Sequence, residues 1–457
     1  MDTDCLKSRA CGAEAFAGES LSPLGKGALA WFLGLGLLLL PAVAQAIPVF
    51  ARIYDQPCGA CHTVYPQLNP AGEDFRSRGL HSMTAAIEPI RLHRHFELPG
   101  TLPMAISLGA GEDLIHSNPA SGSSSTRTHF NLNFLSLLFG GELGPHLSFL
   151  GDYAPIVLRD ARTGETDVQT RPGMAFLQGH AAIDDTLLNL RAGLFELPLG
   201  NSPRVHRLTT RPYLIYATNA FRLLGRPPPL QHGRTDSVSL ASTQIGAELE
   251  GRHRSSGWEW SSGAVAGSNN RRDNNDSADF FLRCGWRPNA NRAGFFLYYS
   301  PDTLADGVRD RVLRMGPDVT LYSRHAILTA QALAGHDSNP GDRGVGLWFY
   351  GGFVEIDLRL IPELLALLRV DAVGMPGYDD RSDGGAIHVD RTLWEFTGGA
   401  QYLLHENLKL VAEVTYSENH DAVSNTTATG WNATVRLLSA FWPLEPPFFG
   451  DQLWPRR

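Results

Sequence analysis

Five consecutive residues, Cys58-Gly59-Ala60-Cys61-His62, carry the most specific chemistry in this chain. C-x-x-C-H is the attachment sequence of a c-type haem: two thiols add to the vinyl groups and the histidine ligates the iron. The spacing matters because two thioethers and one imidazole must reach a single porphyrin. With 5 Cys and 16 His in 457 residues, chance predicts about 0.002 such pentapeptides. Half of a zinc site would need a second C-x-x-C or an H-x-x-x-H, and the chain has neither downstream. A thioredoxin-like pair would need a βαβ setting, which is missing. The expectation is one covalent haem c on Cys58, Cys61 and His62.

That chemistry is performed outside the cytoplasm, and the preceding residues supply an export signal. Lys26 stands before an apolar run from Ala28 to Leu40, Pro41 ends it, and Ala44-Gln45-Ala46 has the small-x-small cleavage pattern. The run is shorter than the roughly 20 residues of a membrane span. Residues 1–46 are therefore expected to be a signal peptide. Cleavage leaves Cys58, Cys61 and Cys284, so with both motif thiols on haem no intramolecular disulfide can form. A net charge of −8 gives no case for nucleic acid as a partner.

Residues 47–97 form the expected monohaem segment. Phe50 to Tyr54 fits one or two helical turns. Asn69 is a good N-cap with Pro70 at the first helical position, and Glu73 and Asp74 suit the positive end of the helix dipole. Gly79 can end the helix in the left-handed conformation, and Phe75 is expected to face the porphyrin. Candidates for the sixth iron ligand are Met83, His81, His93, His95 and Met104, with Met83 first and His81 the alternative. A thioether raises the potential relative to a second imidazole. The segment is too small to bury a core alone, and its linker to the rest, about His95 to Thr101, is short. It is therefore expected to plug the domain formed by the remainder of the chain.

From residue 98 onward the hydropathy alternates with period two. Leu188 to Leu194, Phe353 to Arg359, Leu408 to Tyr416 and Trp431 to Phe441 each place apolar residues on one face and polar ones on the other. Strands between lipid and a wet lumen need this pattern, although a soluble β-sandwich also alternates. The connections discriminate. Tight turns at Gly144-Pro145, Asp184-Asp185, His253-Arg254, Asn289-Ala290, Ser323-Arg324, Pro362-Glu363 and His405-Glu406 alternate with longer polar stretches. Those stretches run about 113–128, 156–173, 198–240, 268–276, 301–310, 336–344, 375–390 and 418–429. Seven turns and eight loops predict about sixteen antiparallel strands, an outer-membrane β-barrel over 98–441. The longest loop, 198–240, fits an inward fold that narrows a pore, or else an external flap. Lumen charges are expected at Arg191, Glu248, Glu355, Arg359 and Arg436. Residues 442–457 form a C-terminal tail.

The combination resembles the fused monohaem cytochrome–porins, outer-membrane cytochromes of iron-oxidising bacteria. The resemblance is sharpest in Phe50-Ala51-Arg52, Cys58 to His62, Pro66-x-Leu68-Asn69, Gly72, Phe75 and Gly79. It continues more loosely through Arg191 to Pro198. It implies a protein that takes electrons from an extracellular donor such as Fe(II) and passes them to a periplasmic cytochrome or other carrier. Cys58, Cys61 and His62 match residue by residue; no distal ligand does. Two other readings fit the residues: a solute porin with a periplasmic haem module, and a soluble periplasmic cytochrome with a β-rich partner domain.

Overall fold

In the computed structural model, the described residues are 49–82, 90–93, 96–100, 103–157, 169–202, 206–224, 230–231, 234–235, 239–267, 277–301, 309–340, 345–380, 387–405 and 407–441. The expected signal peptide, Met83, His95 and the C-terminal tail lie outside them.

Sixteen antiparallel strands close into one barrel, each paired with its neighbour in sequence. The first, Met104–Asn118, pairs with the last, Thr426–Phe441, from Ile106 opposite Phe441 to Asn118 opposite Thr429. Closure leaves no edge, so every strand completes its ladder within the chain. This rules out the sandwich and with it the soluble reading.

The alternation in sequence becomes an inside-out distribution of side chains. Along Asp279–Trp286 burial alternates strictly. Phe280, Leu282 and Trp286 point out and are exposed, while Arg283 points in and is buried. Cys284 shares the outward, lipid-facing side. Along Thr186–Glu196, Leu190 is exposed and Asn189 and Arg191 are buried. Apolar residues outside and ion pairs inside suit a wall that separates hydrocarbon from a polar lumen.

Short and long connections alternate as expected, but four of the eight long ones are shorter than the sequence predicts. Strands Met104–Asn118 and Ser125–Glu142 leave only 119–124 between them. Leu408–Asp421 and Thr426–Phe441 leave only 422–425. Polar strand ends beyond the lipid read as loop in sequence, yet their backbones still pair. The described part of the 198–240 loop folds inward. Leu214 N donates to Asp371 Oδ1 at 2.9 Å, and Thr210 N donates to Glu413 Oε2 at 2.8 Å. Tyr213 stacks on Phe353 at 3.8 Å between ring centroids.

Candidate functional site

The N-terminal segment begins with a short helix, Val49–Ile53, and a single 3-10 turn, Cys58–Ala60. Cys61 N donates to Cys58 O at 3.2 Å, so the two thiols stand one turn apart. A two-rung ladder joins His62–Val64 to Gln67–Leu68, and the helix Pro70–Ser77 comes next. Asn69 caps that helix: its Oδ1 accepts from Gly72 N at 2.9 Å, while its Nδ2 reaches the Gly59 and Ala60 carbonyls at 3.1 Å each. One side chain thus ties the helix to the C-x-x-C turn. Gly72 packs where a Cβ would lie 2.2 Å from Cys61 O, so only glycine fits. Gly79 has φ +69° and ends the helix as expected.

His62 Nδ1 lies 3.2 Å from Pro66 O. A carbonyl only accepts, so Nδ1 carries the proton and Nε2 is left with its lone pair. Burial holds the imidazole down to about 4, the neutral state that a metal needs. Burial also raises the Cys61 thiol. A Cβ on Gly59 would meet nothing within 4 Å, so that side of the turn is open. Two thiols a turn apart, a neutral imidazole anchored through Nδ1 and an open face fit a c-type haem.

The segment lies within the barrel, against its inward face. Gln67 Nε2 donates to Asp357 Oδ2 at 2.7 Å, and Asn189 Nδ2 donates to Ser77 O at 2.9 Å. Ser148 Oγ donates to Gly79 O at 2.7 Å, and Arg287 Nη2 to Ser77 Oγ at 2.6 Å. Arg252 pairs with Asp74 at 3.0 Å. Glu73 is the densest contact: it meets Arg292 at 3.4 Å, Arg287 at 3.7 Å, and His206 from the inward loop. Burial would raise the Glu73 carboxyl, but His206, Arg292 and Arg287 outweigh it and hold it well below the usual carboxylate range. Burial, then Arg292, hold His206 down to about 4 against the pull of Glu73. Glu73 is thus a carboxylate held by two guanidinium groups and a neutral imidazole.

Apolar contacts complete the seat. Val49, Ile53 and Tyr54 cluster with Ala105 of the wall, and Phe50, Phe75 and Leu138 pack on them. Phe75 meets Phe50 edge-on at 5.1 Å and Tyr54 at 5.7 Å. Phe75 is only partly buried by this cluster.

No protein-family model matches the sequence, and no curated protein does. Solved structures match the barrel. The anion-selective porin from Comamonas acidovorans superposes with a TM-score of 0.51 at 12% identity, over 74% of this chain and 99% of the porin. The outer membrane channel DcaP of Acinetobacter baumannii superposes with a TM-score of 0.50 at 10% identity, over 74% of this chain and 96% of that one. The barrel has the porin fold. A closed sixteen-stranded barrel with apolar residues outside and ion pairs inside is the architecture of an outer-membrane β-barrel. In such barrels the short turns face the periplasm. The segment contacts that end: His81 Nε2 lies 3.0 Å from Gly144 O, and Arg287, which bonds Ser77, is the first residue of the turn 287–291.

Of the sixth-ligand candidates, His81 has both ring nitrogens at backbone carbonyls, Gly79 O at 2.9 Å and Gly144 O at 3.0 Å. Ligation by His81 would require giving up one of them. His93 is exposed in a small hairpin, Ile90–His93 with Phe96–Leu98, whose second strand takes up the start of the expected linker. Met104 opens the first barrel strand, opposite Phe139. Among the expected lumen charges, Arg191 pairs with Glu248 at 2.7 Å, Arg436 lies 3.3 Å from Asp113, and Glu355 is buried beside Arg369 at 3.9 Å. Arg359 is exposed near the turn, 3.4 Å from Pro362 O. Sequence reasoning missed His206, Arg252, Arg287, Arg292 and Lys409 as partners of the segment. The inward register of Arg252, Arg292 and Lys409 was readable from the alternation, but not which segment residue each would meet; His206 and Arg287 lie in connections, where no period applies.

Proposed function

We propose that this barrel is an electron-transfer cytochrome–porin: a haem c on Cys58, Cys61 and His62 carries electrons from an extracellular donor to a periplasmic carrier. Fe(II) is the donor that the family resemblance implies. The observation that carries the reading is the C-x-x-C-H turn seated in the lumen, with His62 Nδ1 committed to Pro66 O. Haem supplies one-electron chemistry when bound. The chain's own residues do the rest. Cys58 and Cys61 tether the group, Asn69 fixes the turn that bears them, and His62 offers Nε2. Met83, with His81 as alternative, completes the ligation. Glu73, Arg287 and Arg292 keep the segment seated, and the apolar cluster around Tyr54 excludes water behind it. The carrier, the membrane lipid around the wall and the donor at the loop end are the partners of this reading.

The porin fold favours a second reading, a channel for small solutes in which the segment is a redox module only. The test is a pair of measurements on the purified full-length protein. Covalent haem at one per chain with a nearly closed channel in planar bilayers supports electron transfer. A conducting channel supports the solute porin, and a chain that stays unstained for haem after denaturing electrophoresis overturns the cytochrome reading outright.

A further inference from the structure

The loop that presents His62 has no core of its own. Residues 62–68 rest on four consecutive strands of the wall: Leu347–Ile361, Leu364–Asp380, Ile387–His405 and Leu408–Asp421. Val64 packs with Leu365 and Leu367, and with Leu208 of the inward loop. Gln67 is held by Asp357 at 2.7 Å. Between these anchors stands Lys409, 6% exposed. Its ammonium donates to Tyr65 O and, at 2.8 Å, to Gln401 Oε1. Gln401 in turn donates Nε2 to Leu208 O at 2.8 Å. Among the described residues no carboxylate pairs with Lys409. An ammonium buried without a counter-charge is costly, and here its two acceptors are neutral oxygens.

The geometry points to Lys409 as the positioning residue of the haem ligand: by holding the Tyr65 carbonyl it fixes the Tyr65-Pro66-Gln67 stretch, whose Pro66 carbonyl accepts from His62 Nδ1. The chain of contacts runs from Leu208 through Gln401 and Lys409 to Tyr65, and so the barrel wall and the inward loop together set the orientation of the imidazole. A metal-bound histidine that donates its second ring proton to a fixed acceptor has its ring angle and basicity set by that acceptor. In a free-standing domain the acceptor would be fixed by the domain's own core; this segment is too small to have one. The inference rests on the haem reading above, and its test separates the two.

The full-length protein is prepared as wild type, Lys409→Met and Lys409→Arg, with barrel folding checked by heat-modifiable electrophoretic mobility. Haem per chain tests the haem reading and is expected to be the same in all three; wild type without haem overturns that reading. The positioning role is read from the solvent exchange of the His62 ring proton and from the haem midpoint potential. Lys409→Met is expected to speed exchange at least tenfold and to shift the potential, with Lys409→Arg restoring both towards wild type. A folded, fully haem-loaded Lys409→Met with unchanged exchange and potential overturns the proposal. Should Lys409→Met fail to fold, Gln401→Met removes the second oxygen that fixes the ammonium. Faster exchange there supports the proposal, and wild-type exchange overturns it.

Discussion

Glu73 shows how a single carboxylate can seat a segment. It lies in the first turn of Pro70–Ser77, where the helix dipole favours negative charge, and it also meets Arg287, Arg292 and His206. Removing one partner of a buried ion pair costs about 3–5 kcal/mol, because the other charge stays buried and unpaired. Glu73→Gln should therefore unseat the segment while the barrel stays closed, which limited proteolysis in detergent would register as new cleavage near residues 49–82. The same cluster sets a pH dependence. Seated His206 is held down to about 4, and once released it returns to its ordinary value of about 6.5. The released form thus binds a proton that the seated form refuses, so seating is fully stable above about pH 6.5 and weakens as pH falls towards about 4. Below that, protonation of Glu73, whose carboxyl is held low, removes the remaining attraction. Channel conductance should rise as pH falls from about 7.5, one unit above that window, to about 4.5, near its lower edge. His206→Gln should flatten the rise, whereas a flat wild-type profile would refute the mechanism. At the motif itself, the double variant Cys58→Ala/Cys61→Ala should lose all haem stain, and retained stain would sink the attachment site.

Two inserted elements decide what the lumen can pass. The N-terminal segment enters from the short-turn end, and the inward loop lies across the wall strands from Glu355 to Glu413. They meet where His206 reaches Glu73 and where Leu208 packs on Val64. Each lacks a core of its own, so each is ordered by the wall. Deleting residues 47–97 should raise single-channel conductance, because the wall closes without them. Unchanged conductance would mean that the inward loop alone limits the pore. Asn69 holds helix and motif turn together through three hydrogen bonds. Loss of an N-cap costs about 1 kcal/mol, and Asn69→Ala also frees the Gly59 and Ala60 carbonyls. Reduced haem yield at unchanged barrel folding is the expected outcome, measured by haem per folded chain.

The whole molecule is stable because lipid and lumen select opposite residues on alternate positions. Leu282 faces outward at mid-strand, and an arginine near the bilayer midplane costs about 2–4 kcal/mol. Leu282→Arg should lower the denaturant midpoint of the barrel in lipid by a corresponding amount. Arg283→Leu, one residue away, acts differently: it leaves Glu259 and Asp318, at 2.7 and 2.8 Å, without their shared cation. Its effect should appear in the ordering of the lumen more than in insertion. Equal loss of insertion for both would mean that the two faces are not distinguished as described.

Local and periodic features were legible in the residues alone. The C-x-x-C-H spacing, the Asn69-Pro70 cap and the Gly79 stop are contacts within a few residues, and the period of two with alternating turn lengths comes from strand geometry. Strand ends were harder to read, because polar residues beyond the lipid look like loop although their backbones still pair. Contacts that join distant parts of the chain emerged only from the folded barrel. Glu73 and His206 are 133 positions apart, Gln67 and Asp357 are 290, and Lys409 and Tyr65 are 344. No local pattern encodes such partners. Alternation fixes only that a side chain points inward. Which inward residue meets the N-terminal segment is set by barrel closure and by the depth at which the segment seats.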